Sequence, residues 1–324
     1  MVFQSVYKKA LPGSRLPAET YEGRVTFYNE GVMKIIKPSV EFFGAVPTEY
    51  NAALEFIEMA GRTCYKSEDK ITEDSAEGFV RKLISARPTP HLAMVEHSNF
   101  AVRCYARNSL YLDVLYLATG KYLNILSNVD GLYVGGNLTA WAQAFENWGY
   151  DYLFWPFIDQ YGELFGFNFN CKTQSAWKAC PHHEIPKELR RYSAKFICDR
   201  GVSHELVRHR PCSFAQESTR YVNYGDKDME FIEPDGFDDW GTTARHWFSQ
   251  HCADSEQVYR ALVSSDFSPQ QARAVLPNAL KTEIVVTADA AEWAHIRKLR
   301  TAKSAHPDMQ RVMNTMPWEE FLEF

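Results

Sequence analysis

A short segment, RHRPCSFAQESTRY at residues 208–221, holds the densest group of side chains in this chain that could bind an anion. Three cationic or titratable donors stand side by side, and three more polar groups follow at alternate positions: Arg208, His209 and Arg210, then Gln216, Ser218 and Arg220. An arginine guanidinium can form two parallel hydrogen bonds to a phosphate, and serine hydroxyls and backbone amides can satisfy the other phosphate oxygens. These residues alone leave two interpretations open, a phosphate-binding segment or a solvated charged turn.

Other potentially reactive or metal-binding side chains surround this segment. Cys171, Cys180, His182 and His183 could supply zinc ligands, but their spacing matches no common zinc finger, and adjacent histidines rarely reach one metal without strain. Cys212 lies between the arginines and Ser218, where a thiolate nucleophile is conceivable. We predict that the chain has no metal site and that Cys212 has a packing role.

Periodic patterns predict the elements that position these residues. Apolar residues recur at helical spacing after Thr48, toward AGRTCY, and again after Asp74, up to the two prolines of RPTP. The remaining predicted elements are a strand at 99–105, a strand at 194–201 that leads into a helix at SHELVRHR, a short strand at 282–288, and a helix at 292–306 within a mainly helical C-terminal region.

Residues 106–192 form a long segment between two of the predicted strands, and this segment is rich in aromatic residues. A loop of this length without structure of its own is uncommon, and its aromatic side chains would leave a large apolar patch in water. We therefore predict a mainly helical unit that packs on the core or on a neighbouring subunit. Strand-like runs on both sides suggest that it is inserted between two paired strands.

Composition sets the broad class of the chain. Its 324 residues are 45% hydrophobic and 23% charged, as in globular proteins, and 35 Lys and Arg against 41 Asp and Glu give a net charge of −6. This charge argues against a protein held to nucleic acid or to a membrane by bulk positive charge. No stretch reads as a membrane span or a signal peptide, and seven scattered cysteines favour reduced thiols, so we expect a cytoplasmic protein.

Several separate motifs together resemble one family, the flavin-dependent thymidylate synthases (ThyX). The main one is Arg-His-Arg, seven residues, Ser, and then Arg-Tyr two residues later, at residues 208–221. The other similar motifs are AGRTCY at 60–65, VEH at 95–97, HELV at 204–207, VNY at 222–224, ARAVLP at 272–277, KTE at 281–283 and KLRTAKSAHP at 298–307. The resemblance divides the chain into two parts of a core, residues 1–105 and 193–324, separated by an insertion at 106–192.

This resemblance implies a fold, an assembly and a reaction. The family has a mixed α/β fold and forms homotetramers, with active sites built around FAD at the subunit interfaces. It converts dUMP to dTMP, taking the carbon from methylenetetrahydrofolate and reducing equivalents from NADPH through the flavin. Uracil C5 is a poor nucleophile, so a cation that stabilises negative charge on the ring would help the reaction.

The resemblance also implies roles for individual residues. Arg300 would activate the pyrimidine, and with Ser218 it is an implied catalytic residue. The implied dUMP-binding residues are Glu205, Arg208, Gln216, Glu217, Ser218, Arg220, Arg273 and Arg300. The implied FAD-binding residues are His97, Asn99, Arg208, His209, Arg210, Asp289, His295 and His306. The chain departs from the family pattern at Ala215 and Ala291, and in the length of the interval between Arg300 and His306.

The sequence leaves two other functions open. The chain could be a catalytically silent relative that binds flavin or dUMP. It could also be an RNA-binding protein that uses the basic segment 297–311, although that function would not account for the spacing within residues 208–221.

Overall fold

The computed structural model describes residues 33–105, 123–148, 152–167, 176–225 and 227–320. The helices and strands are mixed along the chain, as expected for an α/β protein. The strands are β1 Met33–Ile36, β2 Ser39–Ala45, β3 Phe100–Cys104, β4 Leu123–Asn128, β5 Gly131–Gly136, β6 Trp177–Ala179, β7 Arg191–Asp199, β8 Ser213–Gln216, β9 Met229–Ile232 and β10 Lys281–Asp289.

The helices divide into long and short ones, joined in several places by single turns of 3-10 helix. The α-helices are α1 Tyr50–Tyr65, α2 Ser75–Ser85, α3 Leu92–Val95, α4 Leu138–Trp148, α5 Trp155–Phe165, α6 Arg200–Leu206, α7 Thr242–Ser264, α8 Pro269–Ala272, α9 Ala290–Arg300 and α10 Pro307–Met313. No helix among the described residues is long and apolar enough to cross a membrane.

The central sheet positions the site, and its strand order is β2-β7-β10-β8 with antiparallel pairing throughout. Strand β10 pairs with β7 along its whole length, from Lys281 opposite Asp199 to Asp289 opposite Arg191. Its seven inner residues are all buried, because α6, α9 and α10 pack on one face of the sheet and α1 packs on the other. Buried side chains therefore follow one another along this strand without alternation, and the apolar ones include Ile284, Val285 and Val286.

Most of the predicted elements are confirmed. The two N-terminal helices are α1 and α2, and the strands predicted at 99–105, 194–201 and 282–288 are β3, β7 and β10. The helix predicted at SHELVRHR is confirmed only in its first half, because α6 ends at Leu206. The single helix predicted at 292–306 is wrong, because α9 ends at Arg300 and His306 has extended backbone angles (φ −56°, ψ 136°). Pro307 disfavours helical angles at His306 and begins α10.

A second antiparallel sheet has the order β4-β5-β3-β6. It shows that the predicted insertion between two paired strands is wrong, because β3 pairs with β5 and β6 while β7 belongs to the central sheet. The mainly helical description of residues 106–192 also needs correction. Its described part contains α4 and α5 but also contributes three strands to this sheet.

Aromatic residues of this segment form a buried core with the N-terminal helices. Trp141 is fully buried, donates from Nε1 to the carbonyl of Phe100 (3.0 Å), and stacks on Phe157 with ring centroids 5.9 Å apart. Leu54 of α1 and Val80 of α2 belong to the same cluster. Trp141, Phe154 and Phe157 are thus covered within the chain, whereas Tyr152 is exposed. Residues 106–122 lie outside the described residues, and the boundaries 1–105, 106–192 and 193–324 stay a prediction.

Candidate functional site

Helices α6 and α9 bring four charged or titratable side chains together on one face of the central sheet. We call them the arginine–histidine cluster: Glu205, His209, Glu292 and Arg300. His209 is only 6% exposed, and its backbone N–H donates to the carbonyl of Leu206 (3.0 Å), which fixes it directly after α6. Arg300, the last residue of α9, reaches back to this turn. Residues far apart in the sequence therefore meet because two helices pack side by side on the same strands.

Arg300 makes three hydrogen bonds in this cluster. Its Nε donates to His209 Nε2 (3.0 Å), its Nη1 to Glu205 Oε2 (2.6 Å), and its Nη2 to the backbone carbonyl of Glu205 (2.9 Å). On the far side of the imidazole, His209 Nδ1 lies 3.0 Å from Glu292 Oε1. A guanidinium carries five N–H donors, so two donors of Arg300 remain for a ligand.

The hydrogen bonds determine which nitrogen of His209 carries the proton. Arginine stays protonated in proteins, so its Nε–H must find a lone pair on His209 Nε2. The imidazole proton then lies on Nδ1 and is donated to Glu292. Burial, together with the positive charge of Arg300, lowers the pKa of His209 although Glu292 acts to raise it. His209 is therefore a neutral acceptor toward Arg300.

The two arginines beside His209 point away from this cluster. Arg208 and Arg210 are exposed, and neither forms an ion pair within the part of the chain that the structure describes. His295 is also exposed, one turn along α9 from Glu292, and its ring meets that of His209 edge-on with centroids 5.9 Å apart. The Arg-His-Arg motif therefore separates into one buried histidine and two solvent-facing cations.

A second group of predicted residues follows β8, and we call residues 217–220 the serine segment. Glu217 is buried and acts as an anchor: it accepts from the Tyr224 hydroxyl (2.6 Å) and from the backbone N–H of Glu283 (3.2 Å). Lys281 Nζ lies 3.8 Å from the same carboxylate. Since all these contacts are within the protein, Glu217 holds the segment against β10.

The neighbouring carboxylate, Glu283, strengthens this anchor. Lys281 and Lys66 approach Glu283 Oε1 at 2.7 Å and 2.5 Å. Burial acts to raise the pKa of Glu283, but the hydrogen bonds and charges of the two lysines lower it to about 2. Lys66 ends α1 in the left-handed conformation (φ 49°), so this pairing also connects α1 to the central sheet.

Ser218 and Arg220 are the parts of the serine segment that a ligand could reach. The backbone N–H of Ser218 donates to the carbonyl of Cys64 at the end of α1 (3.0 Å), and its Oγ accepts from the backbone N–H of Arg220 (3.3 Å). Arg220 is exposed and lies over the Tyr221 ring, 5.4 Å from its centroid. Arg273 joins them from another loop, donating from Nη1 to Thr219 Oγ1 (3.3 Å).

Gln216 faces the opposite way from the serine segment. It is the last residue of β8, and its amide nitrogen donates to Ser203 Oγ (2.9 Å) and Thr282 Oγ1 (3.2 Å). Both amide protons are therefore used inside the protein. Its amide oxygen is the atom left for a ligand.

His97 and Asn99 are fully buried at the start of β3. Ser193 Oγ donates to the carbonyl of Val286 (3.1 Å) and accepts from Thr287 Oγ1 (2.8 Å), so Thr287 must accept from His97 Nδ1 (2.8 Å). Burial, with the charge of Arg191, lowers the pKa of His97 to about 3. Its Nε2 and both amide atoms of Asn99 lack a hydrogen-bond partner among the described residues.

Asp289 and His306 both act as helix caps. Asp289 precedes α9 and accepts from the backbone N–H of Glu292 (2.8 Å), and its other oxygen accepts from Asn124 (3.2 Å). His306 precedes α10, and its Nδ1 accepts from the backbone N–H of Asp308 (3.3 Å). Neither side chain joins the arginine–histidine cluster by a hydrogen bond within the described residues.

Sequence reasoning missed two residues of this region. Glu292 occupies a position where an acid commonly caps its own helix, and nothing in the sequence shows that its partner is His209. Arg191 is a nearly buried cation whose Nη2 donates to Ser213 Oγ (2.9 Å) and to the carbonyl of Thr287 (3.2 Å). The doublet Arg190–Arg191 before a predicted strand was the only available signal for Arg191.

The described residues contain one group whose ligand atoms are close enough for a metal, His209, Glu292 and His295, within 4.8 Å of one another. Hydrogen bonds to Arg300 and Glu292 use both nitrogens of His209, so we assign no metal centre there. Cys171 lies outside the described residues. Burial raises the pKa of the Cys212 thiol, which stays protonated and packs in the core.

Comparison with known proteins shows which family this region resembles. The sequence model of the family described as "Thymidylate synthase complementing protein" matches residues 176–323. Over these residues the chain is similar to that family. The matched range includes both the arginine–histidine cluster and the serine segment, whereas His97 and Asn99 lie outside it.

Curated relatives in this family carry one name, "Flavin-dependent thymidylate synthase". The protein of Geobacter sulfurreducens is 39% identical over 115 residues, which are 35% of this chain and 48% of that protein. The protein of Mycobacterium tuberculosis is 34% identical over 127 residues, 35% of this chain and 50% of the relative. The protein of Thermococcus onnurineus is 32% identical over 117 residues, which are 36% of this chain and 47% of that protein. The chain spans about half the length of the curated relatives it matches.

Proposed function

We propose that the chain is a flavin-dependent thymidylate synthase, which converts dUMP to dTMP with methylenetetrahydrofolate as carbon donor, FAD as cofactor and NADPH as reductant. One observation carries the proposal. The segment that matches the family model contains Arg300, fixed by three hydrogen bonds with two donors left over, and the exposed cations of the Arg-His-Arg motif. The names of the relatives support the same reaction.

The two alternatives have less support. The relatives are named as enzymes, and this argues against a catalytically silent protein that only binds flavin or dUMP. An RNA-binding role for residues 297–311 would need free positive charge, but Arg297 pairs with Glu319 (3.1 Å) and Arg311 pairs with Glu233. These ion pairs reduce the field that a nucleic-acid backbone would meet.

In the proposed reaction, Arg300 stabilises the negative charge that develops on the uracil ring. A cation fixed in advance is effective because it needs no reorganisation when the charge appears. Glu205 and His209 engage all three nitrogens of the guanidinium, which fixes its plane and the direction of the two remaining N–H donors. Exposed Arg208, Arg220 and Arg273 and the Ser218 hydroxyl supply the donor types that a nucleotide phosphate requires.

The residues proposed to hold FAD fit that cofactor in their chemistry. When bound, FAD supplies the hydride that completes the methyl group. Arg208 and Arg210 are exposed cations suited to its pyrophosphate, and the unpartnered amide of Asn99 and Nε2 of His97 offer one donor and two acceptors for a flavin edge. Asp289, His295 and His306 are proposed contacts too, and those of Asp289 and His306 must coexist with helix capping.

We also propose that the active site is completed by other copies of the chain, in a homotetramer. Within one chain, Ser218 is held against α1 and Arg300 is held against α6, which pack on opposite faces of the central sheet. No hydrogen bond or ion pair joins the arginine–histidine cluster to the serine segment in the described residues. A nucleotide that contacts both groups is more easily placed between copies. Cytoplasmic location stays a prediction from the sequence.

A turnover assay on the purified full chain tests the proposed function. We expect a flavin absorption spectrum and dTMP formation that requires dUMP, methylenetetrahydrofolate and NADPH together. Flavin without dTMP would favour the silent relative, and salt-sensitive RNA binding by a flavin-free protein would favour the third function. Sedimentation of the same sample tests the tetramer.

A further inference from the structure

Glu292 has an unusual partner for its position in the helix. It is the third residue of α9 and follows the cap Asp289, where an acid commonly reaches back to the backbone N–H of the cap residue. Here its Oε1 instead lies 3.0 Å from His209 Nδ1, on a turn that follows a different helix. Its side chain is 13% exposed, so the contact is largely shielded from water. This carboxylate therefore serves the arginine–histidine cluster and not its own helix.

The contact matters because of what lies on the other side of the imidazole. A neutral histidine has one N–H and one lone pair, and the partner of one nitrogen decides the state of the other. Glu292 can only accept when ionised, so it selects the form with the proton on Nδ1. That form offers its Nε2 lone pair to Arg300 Nε at 3.0 Å. With the proton on Nε2 instead, two N–H donors would face each other at this distance.

We propose that Glu292 is a positioning residue that holds His209 in the Nδ1–H form and thereby fixes the orientation of Arg300. Its effect on turnover rests on the proposed function, in which Arg300 contacts the pyrimidine. Glu205 alone would still hold Nη1 and Nη2, but the Nε edge would lose its acceptor and the plane of the guanidinium could turn. Small displacements of a group that meets the reacting atoms are costly in rate.

No other described acid competes for this role. The charged and titratable groups that face His209 are Glu292, His295 and Arg300 of α9, and Glu205 of α6 acts through Arg300. His295 is exposed and lies edge-on to the ring, so it provides no comparable acceptor. Removing the Glu292 carboxylate should therefore leave Nδ1 without its partner.

The direct test is the tautomer of His209 in the full-length protein labelled with ¹⁵N-histidine, read by solid-state NMR. The resonance that disappears in the variant His209→Asn identifies the residue. We expect Nδ1–H in the wild type and a shift toward Nε2–H, or a mixture, in Glu292→Leu. Glu292→Gln keeps an oxygen acceptor and should restore the Nδ1–H form at least in part. An unchanged Nδ1–H signal in Glu292→Leu would overturn the proposal.

Kinetics provide the second measurement. We expect kcat of Glu292→Leu to fall roughly 10–100-fold with unchanged flavin content, and Glu292→Gln to recover much of the loss. The control is Glu319→Leu, which removes the carboxylate paired with Arg297 of α9 but does not touch His209 and should stay within about twofold of wild type. A changed tautomer with wild-type kcat would refute the positioning role.

The two proposals fail separately. If the wild type forms no dTMP under any condition, the proposed function is wrong, while the NMR result still decides whether Glu292 sets the tautomer. If the wild type is active and Glu292→Leu lowers the melting temperature and kcat without changing the tautomer, Glu292 has a structural role only and the inference is wrong.

Discussion

The arginine–histidine cluster and the serine segment use buried charge in opposite ways. In the cluster, Arg300 pairs with Glu205 and with a neutral His209, and two of its N–H donors remain for a ligand. At the anchor of the serine segment, the buried carboxylates of Glu217 and of Glu283 in β10 are saturated by a tyrosine, a backbone N–H and two lysines. The first arrangement prepares a cation for chemistry, and the second fixes a loop.

The comparison predicts that damage to the two regions will be seen in different measurements. Substitutions in the arginine–histidine cluster should affect turnover more than stability. Substitutions at the anchor of the serine segment should affect the free energy of unfolding first.

Arg300→Ala should abolish most of the turnover. Loss of one preorganised donor for developing charge costs roughly 3 kcal/mol in the transition state, on the order of a hundredfold in kcat. Flavin content should change little, and the melting temperature should fall, because Glu205 and the buried His209 lose their partner. Arg297→Ala is the matched control, since Arg297 is on the same helix but pairs with the exposed Glu319. Near wild-type dTMP formation by Arg300→Ala would refute its assigned role.

Glu217→Leu should destabilise the protein by about 2 kcal/mol, because the Tyr224 hydroxyl and the backbone N–H of Glu283 would lose their buried acceptor. Urea denaturation of the purified variant gives this value. The control Glu230→Gln changes a more exposed carboxylate that lies 3.4 Å from Lys281 and should cost much less. Equal stability of the two variants would contradict the anchoring role of Glu217.

Sequence patterns predicted the elements of this site better than its contacts. The helices α1 and α2 and the strands β3 and β7 have periodic patterns that local physics produces, so they were predictable. The break at His306 was also readable, since a proline follows it, but the basic run Arg297–Lys303 obscured it. The error of strand pairing and the missed partner of Glu292 concern contacts between distant residues, which periodicity does not encode.

The roles of individual residues are a separate matter. The resemblance named His209 and Arg300, and the structure joins them by a hydrogen bond. The resemblance also named Ser218. Within one chain, Ser218 contacts the end of α1, on the opposite face of the central sheet from Arg300. Binding of dUMP and FAD by these residues stays a prediction.

Acid should weaken the serine segment in a defined pH window. The pKa of Glu283 is lowered to about 2 from a usual value of 4.5, because Lys281 and Lys66 outweigh its burial. The folded state therefore releases this proton more readily than the unfolded state, and the stabilisation is present above pH 4.5 and is lost as the pH falls toward 2. The difference in unfolding free energy between wild type and Glu283→Gln should shrink across this window. A difference independent of pH would contradict the pairing.

Cys212→Ala should have the smallest effect, although Cys212 lies in the turn that connects the two regions. Its backbone N–H donates to the carbonyl of His209 (3.0 Å), and alanine keeps this bond. Burial raises the pKa of its thiol, so little thiolate exists at neutral pH, and the proposed hydride transfer requires no enzyme nucleophile. We expect wild-type kcat and a loss of about 1 kcal/mol in stability from the small cavity. Cys64→Ala, at a half-buried thiol whose pKa burial raises to about 11, is the control for loss of a cysteine outside the turn. Abolished turnover in Cys212→Ala with flavin still bound would instead indicate covalent catalysis by this thiol.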